Sequence, residues 1–322
     1  MLQDIRAAKK KITFQSFLSS SYANDYIIQD TPYTEQIARA AEVLRAADFV
    51  LIGVGAGMSA AAGAEYGGAF FAEHFAAFQD AYGTQYMRDM YTAGFYPFPD
   101  EESRWGLWSK LALTAGADLD VTPLHKTLLQ AVEDKQTFIL STNADHQFEK
   151  AGYPAEQIFA TQGSYNRIQC QRGCHPSTYE AVSMFRQMDQ ARQGVKIPSY
   201  MVPKCPVCGG PMAMNLRCDR YFVQDEAWYA AEERFSQFLT KAVKGKLALL
   251  ELGVGFNTPT IIRLPFEGLA TAHENVTLIR LNRSKAVVPA SLGQRAIGIN
   301  ADMAESIAAI AAERKRTEQQ HA

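Results

Sequence analysis

No stretch of this sequence is apolar for anything near the roughly 18–20 residues a membrane-spanning helix needs, so a bilayer-spanning helical protein is excluded. Surplus charge is also lacking. A formal net charge of -2 offers no basic excess for DNA, RNA or an anionic membrane as the main partner. Cysteine is scarce: the five present all fall between residues 170 and 218, too few and too clustered for a secreted disulfide scaffold. Disorder as the main state is excluded, because 47% of the residues are hydrophobic and only 20% charged. The basic N-terminus, MLQDIRAAKKKITFQSFLSS, lacks both the apolar core and the small-residue cleavage site of a secretory signal. The cytoplasm is the expected compartment.

At 322 residues the chain has the length of about two domains, or of one domain with a large insert. Residues 1–33 show no period and are expected to form an N-terminal arm packed on the main fold. From Thr34, a candidate cap, residues Ile37, Ala41 and Leu44 share one helical face. Phe49–Ile52 then forms a short apolar run that ends in glycine. Similar runs recur at 138–140, 158–160, 247–252, 276–281 and 296–299, each leading into small or polar residues. Helical patterns over 123–133, 145–151, 224–243, 258–273 and 302–318 lie between most of them. Short, continuously apolar strands alternating with helices predict an α/β fold: a doubly wound, Rossmann-like parallel sheet covered on both faces. The expected sheet domain comprises 34–163 and 221–322. Two stretches break the alternation: the aromatic-rich 64–120, expected as a helical insert, and 164–220, which carries every cysteine. Together they are expected to form a smaller lobe, helical and zinc-binding, with the aromatics of 70–108 as its core. The charged tail 313–320 reads as a solvated helix end.

Cys170-x3-Cys174 and Cys205-x2-Cys208, with Gly173, Gly209 and Gly210 beside them, suit a tetrahedral zinc site of four thiolates. Reduced buried thiols and a redox pair are the alternatives, and His175 is a possible substitute for Cys174. Four thiolates would fill zinc's coordination shell, so the metal is expected to be structural. Cys218 reads as an inert buried thiol. Two glycine turns follow strands: Gly53-Val-Gly55-Ala-Gly57-Met-Ser59 and Gly253-Val254-Gly255-Phe256-Asn257-Thr258. Glycines in that context admit a nucleotide pyrophosphate, or simply a tight strand-to-helix turn.

In chain order, Gly55-Ala56-Gly57-Met58-Ser59-Ala60-Ala61-Ala62-Gly63 resembles the G-A-G-I-S-x-x-x-G loop of sirtuins, the NAD-dependent protein deacylases. Thr142-Asn143-Ala144-Asp145 resembles their Q-N-I-D motif. Gln162-Gly163-Ser164 stands where they carry H-G, and the cysteine pairs follow as in the family's zinc lobe. Gly253-Val254-Gly255, Leu281-Asn282 and Asn300-Ala301-Asp302 resemble the late cofactor motifs. The resemblance spans about residues 35–312. It implies NAD as co-substrate, structural zinc, and cofactor contacts at Gly55, Ala56, Gly57, Ser59, Gly63, Asn143, Asp145, Gly253, Val254, Gly255, Asn282 and Asp302. Three departures stand out. The family's general-base histidine is Gln162, its I-P-D-F-R is Ala64-Glu65-Tyr66-Gly67-Gly68, and the glutamine before its asparagine is Thr142. This combination resembles the macrodomain-linked, class M branch. That likeness implies protein mono-ADP-ribosylation of a lipoylated glycine-cleavage-H-like carrier, reversed by a macrodomain hydrolase. It also implies an active-site-linked arginine, which Arg217 matches in place.

The family's reaction breaks the nicotinamide–ribose bond of NAD. Asp145 suits the carboxamide NH2, and Asn143 suits the ribose. Deacylation then needs a base to deprotonate a ribose hydroxyl, and glutamine cannot take a proton near neutral pH. Transfer of ADP-ribose to an anionic acceptor needs no such base, so the catalytic set is expected to be Asn143, Asp145, Gln162 and Arg217. Among the six histidines only His146 is placed to act as a substitute base. Glu65 and Tyr66 suit a ribose contact or a lid. The alternatives to transfer are deacylation with a non-histidine base, NAD hydrolysis, and non-catalytic NAD or ADP-ribose sensing.

Overall fold

The computed structural model describes residues 11–19, 25–63, 65–256 and 259–321, with backbone only from 318 onward. Parts of the expected arm, Ala64 of the altered loop, and Asn257 and Thr258 of the second glycine turn lie outside the described residues.

The described chain opens with α1 (Phe14–Leu18), whose Thr13 and Ser16 side chains cap it reciprocally. β1 (Tyr26–Ile27), α2 (Tyr33–Ala46), β2 (Phe49–Val54) and α3 (Ala56–Ala61) follow. The first insert holds α4 (Gly68–Tyr82), α5 (Met90–Gly94) and α6 (Glu101–Ala112), the last running into a π-helical turn over Leu113–Ala117. The main fold resumes with α7 (Pro123–Val132), β3 (Gln136–Ser141), α8 (Gln147–Lys150) and β4 (Ile158–Ala160). Next come β5 (Gly163–Cys170), β6 (Thr178–Glu180), α9 (Val182–Ala191) and β7 (Met212–Leu216). The chain closes with α10 (Glu226–Ala242), β8 (Leu247–Leu252), α11 (Arg263–Ala272), β9 (Val276–Leu281), β10 (Val288–Pro289), β11 (Ala296–Ile299) and α12 (Met303–His321). No helix of the described residues is long and apolar enough to cross a membrane.

The six expected strands form one parallel sheet in the order β11-β9-β8-β2-β3-β4. The two-residue period of a strand sends alternate residues to opposite faces, and both are apolar because helices cover both. In β2, Val50, Ile52 and Val54 face α2, α7 and α12 through Ile37, Leu44, Leu128 and Ile307. Phe49 and Leu51 face the opposite layer, where Phe14, Phe17, Phe235 and Phe266 pack. The chain winds from β2 outward through β3 and β4, then returns to the far side of β2 at β8. The point where strand order reverses therefore lies between β2 and β8, and the crevice beyond their carboxyl ends is where such sheets bind ligands. A third apolar cluster joins the aromatics of α4 and α6 to the antiparallel β6-β5-β7 sheet that carries the cysteines.

Several local expectations need correction. Thr34 is not the cap of α2: Pro32 holds the N-cap position, its fixed φ suiting a chain about to enter a helix. The helix expected from residue 258 begins at Arg263, because 259–262 form a turn. Of the segment 145–151, only Gln147–Lys150 is helical. Cys218 is exposed, not buried. Arg314, in the tail expected to be solvated, is 5% exposed and donates to the Ala131 carbonyl and to Asp134. The insert's aromatics divide: Phe71, Phe75, Phe78 and Trp105 are core, whereas Tyr91 and Phe95 are exposed.

The described part of the N-terminal arm closes an edge of the sheet. β1 pairs with β10, and the Gln29 side chain donates to the Ala296 carbonyl and accepts from Gly298 N–H, taking a strand's place beside β11. Beneath this edge four charged side chains are buried together. Arg280 donates to both Glu251 oxygens at 2.8 and 2.7 Å and to Glu267 at 2.8 Å, while Arg263 donates to Glu251 at 3.5 Å. The two cations and two anions balance. Tyr26 of β1 donates to Glu267, and burial first, then that carboxylate, pushes its phenol up to about 12.

Candidate active site

The first glycine turn leaves β2 and crosses the second, which leaves β8. Gly55 N–H donates to the Leu252 carbonyl and Gly57 N–H to the Gly253 carbonyl, each at 3.0 Å. A Cβ on Gly253 would lie 2.4 Å from backbone atoms of Gly57 and Met58, and Gly253 itself has φ +63°. The glycines thus let the two turns touch each other at the point of strand reversal. Ala56 opens α3 in this crossing. Val254 is buried and Gly255 exposed beside it.

Ser59, on α3, is the hub of the polar groups. Its hydroxyl donates to Asp145 Oδ2 at 2.6 Å and accepts from Asn143 Nδ2 at 3.0 Å. Asn143 Nδ2 also donates to the Gly55 carbonyl at 3.1 Å. Asp145 is 4% exposed, and its other oxygen accepts from Gln147 N–H. The structure therefore brings Gly55, Ser59, Asn143 and Asp145 into one hydrogen-bonded chain. The hydroxyl bridge between the two motifs has no local sequence signal. Tyr66 stands next to Ser59, and burial, helped by the charge of Asp145, pushes its phenol up to about 12, so it stays protonated. With Gly63, Glu65, Phe70, Met90, Thr114, Ala115 and Leu119 it lines a cavity of about 260 Å³ beside this chain. Gly63, at φ +90°, turns the backbone out of α3 toward that cavity.

A second group lies where the small lobe re-enters the sheet. Arg217 N–H donates to the Gln162 carbonyl at 3.0 Å, and Arg217 Nε to the Thr161 carbonyl at 3.3 Å. The guanidinium sits 4.2 Å from the Phe222 ring centroid, which holds an exposed arginine in one direction. Gln162 is half-buried, and its side-chain NH2 makes only a 3.4 Å contact with Thr161 Oγ1. Gly163, at φ +92°, leaves no room for a side chain: a Cβ there would overlap the Asn215 carbonyl.

Asn282 joins the second glycine turn by donating to the Val254 carbonyl at 3.2 Å. Its oxygen accepts from Ser284 and Lys285 N–H. Asp302 accepts from Ala304 and Glu305 N–H, so its described bonds stay at the start of α12. His146 sits next to Asp145, yet both its ring nitrogens are engaged: Nε2 by Ser164 Oγ at 2.5 Å and Nδ1 by Glu149 Oε1 at 3.1 Å. His125, missed by the sequence reading, is buried near Asp145. Burial pulls its pKa down, against the pull of that carboxylate.

The Sγ atoms of Cys170, Cys174, Cys205 and Cys208 all lie within 4.8 Å of one another. Cys170–Cys208 and Cys174–Cys205 are 3.7 and 3.6 Å apart. A zinc–sulfur bond of about 2.3 Å sets a tetrahedral sulfur–sulfur edge near 3.8 Å, so the donors fit the ion. Burial alone would push the Cys170 thiol up, but N–H groups of Cys174 and Arg172 bring it down, favouring the thiolate. Gly173 and Gly209, both at positive φ, shape the two knuckles. His175 lies outside the set, with Nδ1 3.0 Å from Cys174 Sγ and Nε2 bonded to Tyr179.

No family model matches the chain. It is 34% identical over 278 residues to "Protein ADP-ribosyltransferase" of Staphylococcus aureus, covering 85% of this chain and 87% of that relative. It is 32% identical over 274 residues to "Probable bifunctional ADP-ribose hydrolase/ADP-ribosyltransferase" of Fusarium oxysporum f. sp. cubense. That match covers 81% of this chain, which spans 45% of the longer relative. Among solved structures, one described as "Structural Basis for the Mechanism and Regulation of Sir2 Enzymes" superposes with a TM-score of 0.54 at 17% identity, over 88% of this chain and 99% of that one. A Sir2 homolog–NAD complex gives 0.54 at 12% identity, over 93% and 98%. At these identities the likeness shows the fold.

Proposed function

The chain belongs to the sirtuin family, and on that premise we propose that it transfers ADP-ribose from NAD to a protein acceptor. The observation that carries this reading is the composition of the site. The Asn143–Ser59–Asp145 chain suited to nicotinamide–ribose cleavage is assembled, while glutamine stands at the base position. NAD is consumed as a substrate. Asp145 accepts from the carboxamide NH2, and Asn143 pairs with the ribose. Both are held against the glycine crossing, whose close contacts keep that wall of the crevice fixed. As the glycosidic bond lengthens, positive charge develops on the ribose, and the buried carboxylate lies on the side where nicotinamide departs. Gln162 orients an acceptor by hydrogen bonding but takes no proton. An acceptor that is already anionic needs none, and Arg217 beside Gln162 supplies the cation to steer a carboxylate. His146 does not replace the missing base, since neither of its ring nitrogens is free.

The acceptor in this reading is a lipoylated glycine-cleavage-H-like carrier, and a macrodomain hydrolase reverses the mark. The Fusarium relative, whose name pairs an ADP-ribose hydrolase with a transferase, supports that coupling. The test uses purified protein, labelled NAD, an acetyl-lysine peptide and a lipoylated H-type carrier. The expected result is nicotinamide release with ADP-ribose added to the carrier, the peptide unchanged, and both signals lost in Asn143→Ala. Deacylated peptide together with O-acyl-ADP-ribose would overturn the reading.

A further inference from the structure

His146 is the one non-glycine residue with positive φ among the described residues, at φ 58° and ψ 24°. That left-handed region crowds a Cβ against the backbone, so it persists only where surrounding contacts hold it. The strained residue directly follows Asp145. There the chain enters α8, while the Asp145 side chain accepts from the Ser59 hydroxyl and, across the turn, from Gln147 N–H.

Two side-chain contacts hold His146 there. Glu149 Oε1, a carboxylate oxygen, accepts from Nδ1 at 3.1 Å, and Nε2 pairs with the Ser164 hydroxyl at 2.5 Å. Ser164 Oγ meanwhile accepts from Asn166 N–H at 2.9 Å, which aims the hydroxyl. Burial alone would raise the Glu149 carboxyl, but His146, the Glu149 N–H and Lys150 together hold it below its usual range. The helix behind is pinned as well: Lys150 Nζ donates to the Gly116, Ala117 and Leu119 carbonyls at 2.6, 3.0 and 2.7 Å. Ser164 follows the Gln162–Gly163 turn directly, and Tyr165 N–H donates to the Ala144 carbonyl at 3.1 Å. The segment bearing Asn143 and Asp145 is thus tied to the segment bearing Gln162 ahead of the turn, where Thr161 N–H and hydroxyl both donate to the Ser141 carbonyl, and beyond it, by the Tyr165–Ala144 bond and through His146.

We infer that His146 is a positioning residue. Held by Ser164 and Glu149, it locks the Asp145 carboxylate in the orientation that receives the nicotinamide end of NAD and keeps it in register with the Gln162 turn. It exchanges no proton with substrate. The inference rests on the NAD reading above and refines it.

The experiment compares NAD with ADP-ribose, which lacks nicotinamide, by calorimetry on the full chain. The variants are His146→Ala, His146→Asn and Ser164→Ala, with melting temperature recorded for each. His146→Ala and Ser164→Ala are expected to weaken NAD binding about tenfold, near 1.4 kcal/mol, and to leave ADP-ribose binding within about twofold. His146→Asn is expected to recover most of the loss, because asparagine tolerates the left-handed region and keeps a polar amide. Equal losses for both ligands would overturn the proposal in favour of a general structural role. So would unchanged NAD binding in His146→Ala, or His146→Asn behaving like His146→Ala. Failure of the unmodified chain to bind NAD would instead refute the NAD reading itself, and the inference with it.

Discussion

Adding one methyl group at Gly253 tests whether the two glycine turns are built to touch. The new Cβ would lie 2.4 Å from Gly57 C and Met58 N and 2.6 Å from Gly57 Cα. All three are backbone atoms, so no side chain can rotate away. Comfortable carbon contact begins near 3.5 Å, so the turns must part by about 1 Å. That displacement stretches the Gly57–Gly253 and Gly55–Leu252 bonds beyond hydrogen-bonding reach, at about 1 kcal/mol each. The φ of +63° adds roughly 1–2 kcal/mol for any residue with a Cβ. Gly253→Ala should therefore cost about 3–4 kcal/mol. Gly194 provides the control: it also has positive φ, at +59°, but nothing lies within 4 Å of where its Cβ would stand. Gly194→Ala should cost only the backbone share, roughly 1–2 kcal/mol. Thermal unfolding at saturating zinc reads the difference, expected to be about 4 °C at roughly 2 °C per kcal/mol for a chain of this size. The same 1 Å shift should cut NAD turnover about a hundredfold. If Gly253→Ala unfolds no earlier than Gly194→Ala, the close crossing is not what those glycines serve.

Other perturbations have equally definite outcomes. Elemental analysis should find one zinc per chain. Cys170→Ser should abolish its retention and lower the melting temperature, whereas Cys218→Ser should change neither; a purified chain that keeps no metal would contradict the tetrahedral fit. Arg280→Met should cost roughly 3–5 kcal/mol, because it removes the cation that bonds both Glu251 and Glu267. Pairing it with Glu251→Leu should recover part of that loss, and a double variant no better than the sum of the singles would show that packing, not charge balance, sets the cost. His125 has its pKa lowered by burial, so the native chain resists its protonation while the unfolded chain accepts a proton near 6.5. Its contribution is then complete above about pH 6.5 and is lost as pH falls toward the folded value. Denaturant titrations across pH 5–7 should slope less in His125→Asn, and identical slopes would remove His125 from the account.

The sheet was legible because each of its strands is buried on both faces, which writes a continuous apolar run into the chain. Val50 and Leu51 must both be hydrophobic because helices cover both sides. The cysteine spacing was legible for a related reason: four ligands on two tight knuckles leave a short-range pattern. The site was legible only in pieces. Ser59 and Asp145 are far apart in sequence, and nothing local to either announces their 2.6 Å bond. The Ser164–His146–Glu149 contacts depend on one left-handed backbone angle, which a histidine does not advertise. Arg314 looked solvated among its charged neighbours, yet a carbonyl and a carboxylate on the adjoining helix end bury it. Cys218 looked like core because free cysteines usually are, but it falls just past the end of β7, on the surface.

The central strand has two parallel partners, and they become available at very different times. β3 begins at residue 136, but β8 begins only at residue 247, about 200 residues after the start of β2. At roughly 5–20 residues per second, a ribosome needs about 10–40 s to supply that second neighbour. Throughout that interval one edge of the most apolar strand in the molecule has nothing to bond to, and the first glycine turn has no second turn to cross. The crevice is therefore among the last features to form during synthesis, and a nascent chain paused before residue 247 is the species most exposed to faulty pairing.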